Sequence, residues 1–156
     1  QVLTKLGLLP FPTGERTMAL ASNAQGHFIN RWVDLECPSH SICKWTQGLD
    51  SVSLPIRHAE GRVVFPASQA SRMVRHLDEQ GQIALKYTED VNGSYERIAG
   101  ICDPTGLILG LMPHPEAHLF AMHRPVYTDT PFAEGAGLQL FQNIVNHLKD
   151  RESTCH

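Results

Sequence analysis

No apolar run in this sequence approaches the roughly 20 residues that a membrane-spanning helix needs. No cluster of Lys and Arg stands out either. The chain carries 13 basic and 16 acidic residues, a net charge of −3. That balance argues against nucleic acid or an anionic membrane as its main partner. Cysteine is scarce, with four in 156 residues, at 37, 43, 102 and 155. That is too few for a disulfide scaffold and fits the reduced thiols of a cytoplasmic protein. The usual zinc knuckle, two Cys separated by two to four residues with a second pair elsewhere, is missing. Cys37-Pro38-Ser39-His40-Ser41-Ile42-Cys43 spaces its Cys, His and Cys three apart, and no second pair follows, so no metal site is expected. Repeats and low-complexity tracts are absent. What remains is a chain with 42% hydrophobic and 19% charged residues, the composition of a globular domain large enough to bury a core.

Hydrophobic periodicity divides the chain. Val2, Leu3 and Leu6 share one helical face that Gly7 and Pro10 end, which reads as the tail of a helix. Residues 17–22, 28–36, 52–56, 62–65, 82–88, 95–102 and 107–112 read as strands. Ala70, Met73, Val74 and Leu77 follow the i, i+3, i+4, i+7 pattern of an amphipathic helix over 67–80, with Ser68 placed to cap it and Gly81 to end it. Leu138, Phe141, Ile144, Val145 and Leu148 mark a last helix over 137–149. Asp103-Pro104-Thr105-Gly106 is hairpin chemistry, so the strands on either side of it are antiparallel. From the residues alone the fold reads as α+β.

The stretch with most chemistry is Leu111-Met112-Pro113-His114-Pro115-Glu116. It closes the apolar run 107–112, at the kind of strand end where open α/β sheets bind ligands. Each proline fixes φ and pushes the preceding residue toward extended geometry. In an extended chain, residues i and i+2 point to one side, so His114 and Glu116 should project together. A carboxylate beside an imidazole fixes its tautomer and raises its basicity, as the general base of a nucleophile requires. By spacing alone the pair also fits an ordinary surface loop.

Beside this stretch stand Ile98-Ala99-Gly100-Ile101-Cys102-Asp103-Pro104-Thr105-Gly106, Arg31-Trp32-Val33, Leu54-Pro55-Ile56-Arg57-His58-Ala59-Glu60-Gly61-Arg62 and Gly81-Gln82-Ile83-Ala84-Leu85-Lys86-Tyr87. In this order they resemble the glutamine-amidotransferase part of phosphoribosylformylglycinamidine synthase, a class I glutamine amidotransferase. The resemblance covers nearly the whole chain. It implies an α/β, flavodoxin-like sandwich with a mostly parallel central sheet and a smaller antiparallel element. Residues 1–150 would be the C-terminal part of one such domain and 151–156 a tail.

The resemblance implies that His114 is the general base and Glu116 the residue that orients it. Gln1 matches the Gln of the family's Cys-x-Gly-x-Gln nucleophile turn, which places the nucleophile four residues upstream and implies an N-terminally truncated chain, inactive alone. Gln1, and Asn23 and Phe28 in a loop like those that grip glutamine in related glutaminases, are the implied substrate-binding residues. The alternatives are an ordinary helix residue at Gln1 and a polar turn at 22–28. His58-Ala59-Glu60-Gly61-Arg62 departs from the family's His-Gly-Glu-Gly-Arg at Ala59, and lines the mouth of the site, faces the synthetase or is a solvated turn. The implied function is hydrolysis of glutamine to glutamate and ammonia for purine biosynthesis. The implied partners are a synthetase subunit that binds ATP and Mg, and a small accessory subunit; this chain itself is expected to hold no cofactor. Another class I amidotransferase and a non-catalytic docking fragment are the alternatives.

Overall fold

The computed structural model describes residues 1–126 and 129–154. A single helical turn, α1 (Val2–Lys5), leads into β1 (Ala19–Ser22), β2 (Ile29–Glu36), β3 (Ser51–His58) and β4 (Glu60–Val64). Helix α2 (Ala70–Glu79) follows, then β5 (Ile83–Tyr87), β6 (Ile98–Cys102), β7 (Leu109–Leu111) and the long α3 (Ala136–Thr154).

Five strands form one sheet in the order β3-β2-β5-β6-β7, and β1 pairs with β4 in a second, two-stranded sheet. β2 and β3 pair along their whole length, from Ile29 opposite His58 to Glu36 opposite Ser51. Every strand pair among the described residues is antiparallel. The mixed α/β architecture thus contains the expected antiparallel element, in two curled sheets. The parallel pairs implied by the resemblance are not formed among these residues. Their connections explain why: sheet neighbours joined by turns and loops run antiparallel, whereas parallel neighbours need a crossover. The one helix between strands, α2, links β4 of the small sheet to β5 of the large one.

Two buried clusters make up most of the core. Val33, Leu35, Leu54, Ile56, Leu85 and Tyr87 pack together in one. Ile83, Ile98 and Ile101 join the other, with Val63 of β4 and Ala70, Val74 and Leu77 of α2; the irregular β5–β6 register lets both strands feed both clusters. Burying Val74 and Leu77 contributes about 2 kcal/mol each and fixes α2 on the sheet. β6 is buried at all five positions, which is why it reads as a continuous apolar run.

Several boundaries differ from the periodic reading. α2 begins at Ala70 behind Gln69, so Ser68 does not cap it, while Gly81 at φ +67° ends it as expected. Residues 95–97 form a short 3₁₀ turn before β6 rather than its first half. α3 runs through Thr154, so residues 151–154 of the expected tail are helical; Cys155 and His156 lie outside the described residues.

Candidate active site

β7 stops at Leu111, but its neighbours keep hold of the chain. The Met112 N–H donates to the Ala99 carbonyl at 3.0 Å, and the His114 N–H to the Pro55 carbonyl of β3 at 2.9 Å. The segment 112–114 is therefore stitched to two strands, β6 at Met112 and β3 at His114. Pro115–Ala117 then forms one 3₁₀ turn, with Pro115 in its first position, where a missing N–H costs nothing. Glu116 lies in that turn. The pair thus meets across a turn, not along an extended chain as the prolines suggest. His114 Nδ1 lies 2.6 Å from Glu116 Oε1, a short charge-assisted hydrogen bond with Nδ1–H donating. This leaves Nε2 as the proton acceptor. The side chains are 38% and 60% exposed, so the pair is reachable from solvent.

The start of α3 backs the turn. The Gly137 N–H donates to the His118 carbonyl at 2.9 Å. A Cβ on Gly137 would lie 2.0 Å from the Pro115 carbonyl oxygen, so no larger residue fits without moving the turn.

His114 and Glu116 line a cleft of ≈ 500 Å³ together with Gln1, Arg57 and Glu60. Trp45, Leu111 and Phe141 supply apolar wall. Trp45 is fixed there by its Nε1–H bond to the Leu107 carbonyl, at 2.8 Å, and by edge contact with Phe141. Arg57 ends the exposed face of β3 and Glu60 opens β4, so both flank the corner at Ala59 where the chain passes from one sheet to the other.

Of the residues singled out in the sequence, the structure brings Gln1, His114 and Glu116 to one cleft and does not bring Asn23 or Phe28 to it. Phe28 is 59% exposed elsewhere on the surface. Asn23 is buried, and its Nδ2 donates to the carbonyls of His27 at 2.9 Å and His58 at 2.8 Å. Its Oδ1 lies 2.9 Å from His58 Nδ1, and its backbone N–H donates to the Ala59 carbonyl at 2.8 Å. Because both amide hydrogens go to carbonyls, Oδ1 is left to accept, and the imidazole must carry its proton on Nδ1. Burial, and after it the neighbouring charge of His114, holds the His58 pKa below its ordinary value. Asn23 and His58 thus lock the Ala59 corner, with Gly61 packed so closely on the ring that a Cβ there would lie 2.6 Å from Nδ1.

The other candidates are placed elsewhere. His40 Nε2 meets Asp78 Oδ1 at 3.2 Å, while Cys37 and Cys43 are buried. Among the described residues no group of three His, Cys, Asp or Glu is arranged to hold a metal ion. Cys43 and Cys102 share a buried cluster. A hydrogen bond from Cys102 pulls the Cys43 thiol down to about 7, and the same contact pushes Cys102 up. None of Cys37, Cys43 and Cys102 lines the cleft. Among the described residues no helix is long and apolar enough to cross a membrane.

Residues 1–148 match the family described as the CobB/CobQ-like glutamine amidotransferase domain. Phosphoribosylformylglycinamidine synthase subunit PurQ of Methanococcus maripaludis strain C7 is 40% identical over 138 residues, covering 81% of this chain and 50% of that protein. The subunit of strain C5 is 40% identical over 170 aligned residues, covering 95% of this chain and 63% of that protein. The subunit of Dehalococcoides mccartyi is 34% identical over 150 residues, covering 93% and 59%. Among solved structures, that of PurLQS from Thermotoga maritima aligns with a TM-score of 0.69 at 32% identity, covering 95% of this chain and 57% of that one. The chain therefore spans 50% to 63% of the length of these curated relatives.

Proposed function

The chain belongs to the CobB/CobQ-like glutamine amidotransferase family, and on that premise we propose that it carries the base and its orienting carboxylate in the glutaminase component of phosphoribosylformylglycinamidine synthase. The observation that carries this reading is the 2.6 Å His114–Glu116 bond at the rim of a ligand-sized cleft. Clefts of about 300–1,000 Å³ suit small molecules.

The chemistry follows from a thiol nucleophile. His114 Nε2 takes the proton of a cysteine thiol, and the thiolate attacks the side-chain carboxamide carbon of glutamine. The imidazolium, stabilised by Glu116, gives its proton to the departing nitrogen, and ammonia leaves behind a glutamyl thioester. Water, deprotonated by His114, then cleaves the thioester to glutamate and restores the thiol. That thiol comes from outside the described residues, since Cys37, Cys43 and Cys102 are buried away from the cleft. Gln1 is assigned to hydrogen-bond the substrate, a reading supported by its lining the same cleft. Asn23 serves the site through the Ala59 corner and not by touching glutamine.

The ammonia passes to a synthetase subunit, which binds the ATP and Mg, with a small accessory subunit in the same assembly. The likeness to PurLQS supports that arrangement. The enzyme works in the cytoplasm, where its free thiols stay reduced. The test is His114→Ala in the assembled enzyme. Glutamine-dependent amidation should fall by about 10³-fold or more, while ammonium salts still support the reaction. Glutamine-dependent activity within tenfold of the unmutated enzyme would falsify the proposal.

A further inference from the structure

We propose that Arg57 and Glu60 read the two charges on the α-carbon of the amino-acid substrate, Arg57 holding the α-carboxylate and Glu60 the α-ammonium. This rests on the glutaminase reading above and specifies how the cleft selects a free amino acid. The two side chains are of opposite sign and line the same cleft as His114 and Glu116. Yet they do not pair with each other. Among the described residues neither side chain has a hydrogen bond or an ion pair. Solvated charges on a convex surface are commonplace, but here both line one concave wall. Glu116, the other carboxylate of the cleft, is already engaged by His114.

The corner that carries the pair is held firmly. Asn23 binds the carbonyls of both His58 and Ala59, the residues between Arg57 and Glu60. It also fixes the His58 ring, against which Gly61 packs. Arg57 and Glu60 are thus mounted on clamped backbone, so little order has to be created when a ligand arrives. A guanidinium forks onto a carboxylate through two parallel N–H bonds, and a carboxylate accepts from an ammonium. A ligand with its carboxamide at His114 and a zwitterion at its far end has a partner for each of its polar groups. A neutral amide, or an amide with a single charge, leaves one wall charge unmatched.

The experiment measures binding of three ligands to the purified chain by calorimetry: L-glutamine, 4-aminobutanamide, which lacks the carboxylate, and glutaramate, which lacks the amine. Each is titrated into the unmutated chain, Arg57→Ala and Glu60→Gln, with circular dichroism confirming the fold. Both residues are exposed, so the variants should fold normally. The unmutated chain should bind each truncated ligand about tenfold or more weakly than L-glutamine. Arg57→Ala should weaken L-glutamine by a similar factor but leave 4-aminobutanamide unchanged, and Glu60→Gln should behave likewise toward glutaramate. If each variant weakens all three ligands equally, or none, the assignment of these residues is overturned while the glutaminase reading survives. If the unmutated chain binds no L-glutamine, this inference falls; whether the reading beneath it falls too is decided by His114→Ala in the assembled enzyme.

Discussion

Replacing Asn23 with Ala separates two roles for that residue. The side chain makes three hydrogen bonds, to the His27 carbonyl, the His58 carbonyl and His58 Nδ1–H. His27 is exposed, so water can replace its lost partner. His58 is only 6% exposed, so its Nδ1–H and the lone pair of its carbonyl that faces Asn23 would lose their partner inside the protein. Each such group costs about 1–3 kcal/mol, which sums to about 3 kcal/mol after partial relaxation. Against a domain stability of about 5–15 kcal/mol this is a large fraction. With a urea slope near 2 kcal/mol/M, the unfolding midpoint should drop by about 1.5 M at unchanged slope. A midpoint within about 0.2 M of the unmutated chain would refute the reasoning and leave the amide free to grip substrate. Asn23→Asp sharpens the test through pH. In the unmutated chain burial depresses the pKa of His58 and of His118, so the folded protein resists protonation that the unfolded chain accepts near 6.5. Stability should therefore fall as pH drops from about 7 to 5, by at most about 1.4 kcal/mol per unit for each residue. A carboxylate at position 23 would raise the His58 pKa instead. Its stabilising effect would be complete below about 6.5 and lost as pH rises through the raised value, so the gap between the two proteins should narrow on acidification.

Two further outcomes follow from the pair and the turn that carries it. Glu116→Gln keeps an oxygen near His114 Nδ1 but removes the charge that stabilises the imidazolium; kcat for glutamine hydrolysis by the assembled enzyme should fall by about 10²–10⁴-fold, with KM little changed. A drop smaller than tenfold would show that Glu116 does not orient the base. Gly137→Ala should push the Pro115 carbonyl away and lower both the melting temperature and kcat, since its Cβ would lie 2.0 Å from that oxygen; unchanged values for both would show that the turn is free to move.

How much of this was legible in the sequence depends on how local each feature is. His114 and Glu116 lie two residues apart, and any geometry that two prolines allow keeps them close. The route differs, because Pro115 initiates a 3₁₀ turn as readily as it extends a chain. The strands and α2 follow from period, since burial on one face is what period records. The Ala59 corner does not, because no pattern of alternation says that a chain is changing sheets. Arg57 therefore falls just past the strand read over 52–56, with nothing in the pattern to single it out. Asn23 reads as a turn residue because its partner His58 is 35 positions away. Period ends the last helix at 149 because residues 150–153 offer no apolar stripe, and this exposed stretch of α3 rests on propensity rather than burial.

The same long-range contact bears on the chemistry of the base. His58 lies near enough to His114 for the charge of one to depress the pKa of the other. Were His58 to take up a proton, the imidazolium at His114 that the proposed chemistry requires would face a second positive charge. Two features prevent this. Asn23 fixes the Nδ1–H tautomer, and the remaining ring nitrogen, Nε2, is buried with no hydrogen-bond partner to stabilise an added proton. The uncompensated nitrogen is unfavourable for stability, but on the proposed glutaminase reading it would hold His58 neutral while His114 exchanges its proton. On that reading the clamp at Asn23 would serve both walls of the cleft, mounting Arg57 and Glu60 and keeping a competing charge away from the proposed base.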